Sequence, residues 1–308
     1  MTVPEDYSFI RYLEAKASVD DRALNRRVWD ALADQLKRYQ PKGLLQVLEV
    51  GGGIGTMLTR LLWNNMLPSC EYTLVDIDEA NIVRACTYLS GWGESNGWQV
   101  EQEQDCRLAI EKGGVSVQVV LETADMYAFV AGKKRQWDVL IAHALLDLLD
   151  LKEALPRLFS ALCPGGFYYF TINYDGEMIF EPVLDLAQEK LIMGLYNRDM
   201  DERLADGKPS GSSRTGRRLF ATLKDLGATI VEAGGSDWVV YAGEEGYPED
   251  EAYFLHYLIN IVDNALKGHP LLNPVELTEW VSARHAQIES EELVCMAHQL
   301  DFLGFGPK

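Results

Sequence analysis

The first clear pattern along the chain is a helical repeat of apolar positions. The spacing of four residues, with Asp20 or Asp21 available as N-cap, predicts one amphipathic helix over residues 20–38. Its apolar stripe consists of Leu24, Val28, Leu32 and Leu36. The preceding segment, DYSFIRYLEAKA, is a candidate for a second helix.

From residue 43 onward, short and almost wholly apolar runs alternate with helical ones. Such runs are typical of strands that are buried on both faces of a parallel sheet. They predict strands at 43–50, 72–76, 115–121, 137–142, 167–173, 228–233 and 293–302, with 237–242 as a candidate continuation of the sixth. Helices are predicted at 56–65, 79–89, 146–162, most of 179–204, 217–226, 249–266 and 274–288. The polar stretch 91–114 is predicted to be a loop or an extra hairpin, and 206–216 a flexible loop that could act as a lid.

This alternation predicts an α/β fold with a Rossmann-like, seven-stranded and mostly parallel sheet. Residues 1–42 would form a helical N-terminal cover. Residues 43–243 and 292–308 would form the sheet domain, and residues 244–291 a helical insertion before the last strand. The fold class would thus include a helical N-terminal segment as well as this late cap.

Charge restricts the partners of such a fold. The 308 residues contain 28 Lys and Arg against 47 Asp and Glu, which gives a formal net charge of −19. Nucleic acids and anionic membrane surfaces are held by clustered cations, so this balance argues against both. A small-molecule substrate is the remaining expectation, and the sequence does not define the oligomeric state.

Cysteine and histidine usage argues against a metal site. The five cysteines are scattered without a C-x-x-C pair, and the five histidines form no H-E-x-x-H motif. We therefore expect reduced thiols and no metal. No apolar run reaches the ~18 residues of a membrane span, and the start MTVPEDYSF carries acidic residues where a secretory signal would carry basic ones. These features predict a cytoplasmic protein.

The most informative segment is VLEVGGGIGT, at residues 47–56. A predicted buried strand delivers Glu49, Gly51, Gly53 and Gly55 into the start of a helix, and glycine lets the backbone approach a ligand closely. A dinucleotide loop would have Gly or Ala at position 56, which is Thr56. The nucleoside triphosphate pattern G-x-x-x-x-G-K-[ST] is also absent from this segment.

The segment resembles the first motif of the class I S-adenosylmethionine-dependent methyltransferases, an acidic residue followed by G-x-G-x-G. LVDIDEANI and ETADMYAF resemble the family's second and third motifs, and CPGGF its entry to strand five. The resemblance covers about residues 44–232 and a final strand near 293. It implies S-adenosylmethionine as cofactor, with Asp76 on the ribose hydroxyls and Asp125 on the adenine amino group. The implied cofactor residues are Glu49, Gly51, Gly53, Gly55, Asp76, Ile77, Asp125 and Met126. Asp78 competes with Asp76 but matches the polar helix cap of the pattern.

The sequence defines the residues around the methyl acceptor less well than those around the cofactor. His143, at the end of the fourth predicted strand, is the candidate general base, and Asp147 could orient it or hold a substrate amine. Alternatively, His143 packs beside the cofactor and Asp147 caps a helix. The segment AHALL lacks the [DN]-P-P-[YF] motif of related enzymes that methylate bases or glutamine amides. Candidate wall residues for an apolar or cationic substrate are Tyr7, Tyr12, Trp29, Tyr174, Tyr196 and Trp238. Three arginines, Arg214, Arg217 and Arg218, could bind an anionic group or simply begin a solvated helix.

Methyl transfer to a small-molecule oxygen, nitrogen or sulfur is therefore the predicted activity. Two alternatives remain open. One is a non-catalytic S-adenosylmethionine sensor whose helical cover binds a partner. The other is aminopropyl transfer by an enzyme of the same fold.

Overall fold

The computed structural model of the protein describes residues 2–102, 106–205 and 207–308. Met1, residues 103–105 and Asp206 lie outside the described residues. They belong to the predicted N-terminal cover, the segment 91–114 and the loop 206–216, respectively.

A single mixed sheet of ten strands organises the described chain. The strands are β1 (Leu45–Val50), β2 (Cys70–Asp76), β3 (Gln99–Gln102), β4 (Arg107–Lys112), β5 (Val115–Thr123), β6 (Trp137–His143), β7 (Leu162–Glu181), β10 (Thr229–Gly235), β11 (Trp238–Val240) and β12 (Val294–Phe305). A separate hairpin consists of β8 (Leu204–Ala205) and β9 (Lys208–Pro209).

The strand order is β10-β12-β7-β6-β1-β2-β5-β4-β3, with β11 paired to β12. Strands β5, β2, β1, β6 and β7 run parallel, whereas β12 is antiparallel to both of its neighbours β7 and β10. The predicted fold class is confirmed. The seven predicted strands are present, and β3, β4 and β11 extend the count to ten.

Two of the additional strands, β3 and β4, lie at the edge of the sheet beyond β5, and the burial pattern of β4 explains why it forms a strand. Leu108 and Ile110 of β4 are buried while their neighbours are more exposed, which is the two-residue period of a half-buried strand. β4 pairs antiparallel with both β3 and β5. Of the two alternatives for 91–114, the hairpin is therefore correct for the part that contains β3 and β4, whereas the predicted end of the preceding helix at 89 is wrong, because α4 continues to Ser95.

The helices form two layers on the sheet and a third group over its carboxyl edge. They are α1 (Phe9–Ala23), α2 (Arg26–Arg38), α3 (Thr56–Trp63), α4 (Glu79–Ser95), α5 (Met126–Val130), α6 (Leu151–Ala161), α7 (Leu186–Glu202), α8 (Thr215–Asp225), α9 (Glu251–Leu266) and α10 (Pro274–Glu289), with a 3-10 helix at Leu146–Leu148. Helices α2, α3 and α4 share one hydrophobic cluster with the sheet, and α5, α6 and α8 share another. Helices α1, α7, α9 and α10 form a third cluster.

The single helix predicted over 20–38 is wrong at its start. α1 ends at Ala23 and α2 begins at Arg26. The Asn25 side chain accepts hydrogen bonds from the backbone N–H groups of Arg27 and Val28, which makes it the N-cap of α2. The backbone N–H of Asn25 is bound by Asp301, at 2.8 Å from Oδ2. The four-residue spacing simply continues across this break.

The prediction of a helix from 179 is also wrong at its start. β7 continues to Glu181, where it pairs with the beginning of β12, and Phe180 faces Cys295 in the ladder. α7 begins only at Leu186, after its N-cap Asp185. Met178 and Phe180 are buried and Ile179 is exposed, but all three are apolar. The two-residue period was therefore invisible in the sequence.

The predicted helix 146–162 is divided into the 3-10 helix and α6. Asp150 lies at the division, where its Oδ1 accepts a hydrogen bond from the backbone N–H of Lys152 at 2.9 Å. Asp150 is thus the N-cap of α6, and Asp147 lies in the separate 3-10 turn. In the region 244–291 the structure contains α9 and α10. The exact domain boundaries remain a prediction.

None of the helices in the described ranges combines the length and the apolar composition that crossing a bilayer requires.

Candidate active site

A cavity of about 910 Å³ lies at the carboxyl ends of the parallel strands. Its volume is in the upper part of the range that small-molecule and cofactor sites occupy. Most of the predicted site residues line it, namely Glu49, Gly51, Gly53, Asp76, Ile77, Asp125, Met126, His143 and Asp147. Helix α1 supplies a further wall with Phe9, Tyr12, Leu13, Lys16 and Asp20. One cavity thus joins the predicted cofactor residues to the predicted acceptor side.

The glycine loop is bound to the tip of β2. The backbone N–H of Gly52 donates to the carbonyl of Val75 at 3.2 Å. Gly51 has a φ of +63°, and a Cβ there would lie 2.6 Å from the Leu145 side chain. A Cβ on Gly52 would lie 2.4 Å from the side chain of Leu74. The loop therefore needs glycine for its backbone conformation and for its close packing.

Gly55 has a different role from Gly51. It adopts a φ of +86° as the N-cap of α3, and a Cβ would lie 3.1 Å from Leu89 of α4. It is not among the described residues that line the cavity. The positive φ and the close packing against Leu89 explain why glycine is needed at this position. Direct contact between Gly55 and the cofactor stays a prediction, which this geometry does not support.

Asp76 lies at the end of β2, buried against the glycine loop. Its Oδ2 accepts a hydrogen bond from the backbone N–H of Gly53 at 2.8 Å. Its Oδ1 accepts from the backbone N–H of Asp78 at 2.9 Å and from Nδ2 of Asn81 at 3.2 Å. A carboxylate offers about four acceptor positions, so one position on Oδ2 remains for a ligand hydroxyl. These bonds fix the carboxylate where it lines the cavity.

The residues beside Asp76 also take the expected places. The Asp78 side chain accepts from the backbone N–H of Ala80 and caps α4, which supports Asp76 as the ligand-facing acid of the pair. Ile77 is 74% exposed and offers an apolar surface at the cavity edge. Asp125 caps α5 by accepting from the backbone N–H of Ala128 at 2.9 Å, so its carboxylate is partly occupied within the protein.

Glu49 is a buried carboxyl behind the glycine loop. Its Oε2 accepts a hydrogen bond from the hydroxyl group of Tyr72 at 2.7 Å. Burial raises the pKa of Glu49 to about 7, although the bond from Tyr72 and the charge of Arg60 act in the opposite direction. A carboxyl group with this pKa would become fully ionised beside a ligand cation.

His143 is held on both sides by the protein. Nε2 lies 2.9 Å from Oδ2 of Asp20, and Nδ1 lies 2.7 Å from the hydroxyl of Thr171. Nε2 also lies 3.3 Å from the Arg60 guanidinium, which can only donate, but the shorter contact with the Asp20 carboxylate favours the tautomer with the proton on Nε2, in which Nδ1 accepts from Thr171. Burial lowers the pKa of His143 to about 4, despite the opposing charge of Asp20. A neutral imidazole without a free nitrogen is a poor general base, so the geometry favours the alternative in which His143 packs in the site wall.

The partner of His143 belongs to a buried ion cluster that the sequence did not reveal. Asp20 accepts hydrogen bonds from Lys16 and from the indole Nε1 of Trp238, the latter at 2.9 Å, and Arg60 lies 3.8 Å from its Oδ2. Burial raises the pKa of Asp20, but Lys16, His143 and Arg60 outweigh that effect, so its pKa lies well below the usual range. Asp20 therefore stays ionised. We call Lys16, Asp20, Arg60, His143 and Trp238 the Asp20 cluster.

Asp147 differs from Asp20 in its surroundings. It lines the cavity, and its Oδ1 is shielded from solvent without a hydrogen-bond partner among the residues the structure describes. Burial raises the pKa of Asp147 to about 6, with Lys16 and Arg203 opposing. It does not contact His143 through any hydrogen bond in the described ranges, and the predicted orienting role is not supported.

Four of the six aromatic candidates line the cavity: Tyr12, Tyr174, Tyr196 and Trp238. Tyr7 instead packs against Tyr253 and Tyr257. Trp29 lines a second cavity of about 450 Å³ between α1, α2, α3 and α4.

None of the three arginines of the segment SSRTGRR is among the described residues that line the main cavity, and two of them, Arg217 and Arg218, bind protein groups. Nε of Arg217 lies 2.9 Å from each carboxylate oxygen of Asp175. Arg218 donates to Ser212 at 2.7 Å. Both observations support the alternative in which these arginines have a structural role.

The sheet order, the glycine loop and the acid at the tip of β2 define a Rossmann-like, nucleoside-binding architecture. Residues 48–168 match the family model described as "Methyltransferase domain". The chain thus carries a segment that matches a methyltransferase domain. No curated protein sequence matches the chain significantly.

Several solved structures are similar to this chain at low identity. One is an Anaeromyxobacter dehalogenans protein provisionally called a type II methyltransferase, with 16% identity, coverage of 92% of this chain and 97% of the other, and a TM-score of 0.48. YjhP from E. coli has 16% identity, coverage of 95% and 98%, and a TM-score of 0.46. Geranyl diphosphate C-methyltransferase from Streptomyces coelicolor A3(2) has 9% identity, coverage of 99% and 88%, and a TM-score of 0.40.

The residues present fit the cofactor of this domain class. Gly51 and Gly52 leave a cradle that side chains would fill, Asp76 keeps one acceptor position, and Glu49 is a buried carboxyl of raised pKa beside them. A ligand with hydroxyls and an ammonium group would satisfy these groups.

Proposed function

We propose that this protein transfers a methyl group from S-adenosylmethionine to a small-molecule nucleophile in the cytoplasm. When bound, S-adenosylmethionine supplies an electrophilic methyl group on a sulfonium. The chain's own residues would hold it through the Gly51–Gly53 loop, Asp76, Asp125 and Glu49, and exclude water with α1. Nucleic acids and membranes are not expected partners, because the net charge of −19 opposes both.

The observation that carries this proposal is the extent of the cavity. It contains the glycine loop and Asp76 at one end, and Asp147, Tyr174 and Tyr196 at the other. A transferase needs space for a second molecule beside the cofactor, whereas a protein that only senses the cofactor does not.

The test is calorimetric titration with S-adenosylmethionine and S-adenosylhomocysteine. We expect Asp76→Ala to weaken binding of both by ~1–3 kcal/mol, because a charged acceptor is lost. Asp78→Asn is the matched control, since asparagine caps a helix as well as aspartate does. Unchanged affinity in Asp76→Ala would contradict the proposed placement of the ribose.

Product analysis separates the proposed activity from the alternatives. Incubation with S-adenosylmethionine and a library of small nucleophiles should yield S-adenosylhomocysteine. 5′-Methylthioadenosine, formed from the decarboxylated cofactor, would instead indicate aminopropyl transfer. Tight cofactor binding with no product from any acceptor would favour the sensor.

A further inference from the structure

We propose that the part of the cavity lined by Asp147, Tyr12, Tyr174 and Tyr196 is a binding subsite for a small organic amine, which is then the methyl acceptor. The ammonium form binds at the Asp147 carboxylate and passes one proton to it, and the neutral nitrogen forms the bond to the methyl carbon as the C–S bond breaks and S-adenosylhomocysteine leaves. We call these four residues the amine subsite. This inference rests on the proposed function, since it assigns the acceptor of the same cavity.

The first argument is the unsatisfied carboxyl group of Asp147. Its Oδ1 is removed from solvent and has no hydrogen-bond partner among the described residues. Because Oδ1 exposes almost no surface, a ligand in the cavity would reach this carboxyl group, which lines the cavity, through its other oxygen. An ammonium group supplies three donors and the opposite charge.

The second argument is the distribution of the cations near Asp147. Lys16 is only 6% exposed and donates to Asp20, so its charge is engaged by the Asp20 cluster. Arg203 lies at the outer side, 3.9 Å from Asp199. His143 is neutral for the reasons given above. No cation of the described chain therefore forms a direct ion pair with Asp147.

The third argument is the aromatic wall around this carboxyl group. Burial and the charge of Asp147 together raise the pKa of Tyr196 to about 12, and the same charge contributes to the raised pKa of Tyr12 and Tyr174. The hydroxyl groups of all three tyrosines thus lie near Asp147, and the three side chains line the same cavity. Aromatic faces attract ammonium groups, and this attraction increases when the site is desolvated.

The wall is also rigid. Tyr12 stacks on Tyr257 with ring centroids 4.4 Å apart and on Phe254 at 5.7 Å. The Tyr174 hydroxyl donates to Oδ1 of Asn197 at 3.0 Å. A subsite whose groups are already fixed loses little conformational entropy when a ligand binds.

The backbone of Asp147 is fixed as well, by the segment that follows the β8–β9 hairpin. Its carbonyl oxygen accepts a hydrogen bond from the backbone N–H of Ser212 at 3.0 Å, and the carbonyl of Leu148 accepts from the Ser210 hydroxyl at 2.8 Å. Asp147 follows the tip of β6 by four residues, on the strand edge where open α/β sheets bind their ligands. The carboxyl group is therefore held in a fixed position at the wall of the cavity.

The experiment compares three probes of similar shape, phenethylamine, 2-phenylethanol and phenylacetate, by titration of the full chain at pH 7.5. We expect the amine to bind at least tenfold more tightly than the alcohol, and phenylacetate to bind most weakly. Asp147→Asn should lower the amine affinity about tenfold and leave 2-phenylethanol unchanged. The control is Asp150→Asn, which removes another cavity-lining charge but preserves the N-cap of α6 and should not change the affinity for the amine.

A pH comparison adds an independent readout. Because the pKa of Asp147 lies at about 6, lowering the pH from 7.5 to 5.5 should protonate it and weaken amine binding about fourfold in the wild type. The charged groups that act on Asp147 are Lys16 and Arg203, and the three tyrosines, whose pKa values are raised, stay neutral over this range. Asp147→Asn should show no such dependence. Thermal unfolding confirms that the variant is folded.

Three outcomes would overturn the assignment: equal binding of the amine and the alcohol, amine binding that Asp147→Asn leaves intact, or a loss of S-adenosylhomocysteine affinity in Asp147→Asn equal to the loss for the amine. The last would place Asp147 at the cofactor end. Absence of S-adenosylhomocysteine binding in the wild type would instead defeat the proposed function, while the amine preference would still be measured on its own.

Discussion

Oδ2 of Asp20 lies 2.9 Å from Nε2 of His143, which joins helix α1 to the carboxyl end of β6. The same carboxylate binds Lys16 and Trp238. One buried acid thus holds the N-terminal cover, the end of the central sheet and β11 together at the wall of the cavity. The stability of the cover and the shape of the site depend on the same ion cluster.

Asp20→Asn should lower the free energy of unfolding by about 3–5 kcal/mol, because it leaves Lys16 with an uncompensated buried charge. Urea denaturation measures this loss. Asp21→Asn is a matched control, since Asp21 pairs with Arg60 but its side chain is 55% exposed, and its loss should be less than about 1 kcal/mol. If the two variants lost the same free energy of unfolding, the burial of Asp20 would not increase its contribution to stability.

His143 should remain neutral throughout the physiological range. Burial lowers its pKa to about 4, so its ring signals in NMR spectra of ¹³C-histidine-labelled protein should not titrate between pH 5.5 and 7.5. The spectrum of His143→Gln assigns the signals. A titration with a midpoint near 6.5 would restore His143 as a candidate general base.

Binding of S-adenosylhomocysteine should release protons near neutral pH. Glu49 has a pKa of about 7 in the free protein, and the ammonium group of the ligand would favour its ionised form and lower that pKa. At pH 7 about half of a proton should leave for each ligand bound, and the affinity should rise as the pH increases from 6 to 8. Calorimetry in buffers of different ionisation enthalpy measures the release.

Glu49→Gln provides the control for this measurement. Glutamine can still accept the hydrogen bond from Tyr72 but has no proton to lose, so the dependence on buffer should disappear. Proton release of the same size in this variant would mean that another group titrates on binding.

Sequence reasoning found the residues on the glycine-loop side of the cavity because they lie in short, ordered segments. The loop at 51–55, Asp76 and Asp125 each follow a strand or precede a helix, and local spacing is enough to find them. Asp20, Lys16 and Trp238 come from segments far apart in the chain, and only the packing of α1 on β11 brings them together. No local pattern marks such a cluster.

The fold was predictable to a similar extent. Buried parallel strands are recognisable as apolar runs, whereas the break at Leu24 and Asn25 depends on a hydrogen bond to Asp301 at the other end of the chain. The extension of β7 depends on its partner β12. Both features are set by tertiary contacts that override local propensity.

The two ends of the cavity are built by different stretches of the chain. The glycine-loop side of the cavity comes from residues 49–81 and 124–127, whereas much of the remaining wall comes from α1, α7, β11 and α9, which lie outside residues 48–168. Under the proposed function, substitutions in those four elements would diversify which compound is accepted and leave the segment that binds the methyl donor unaltered.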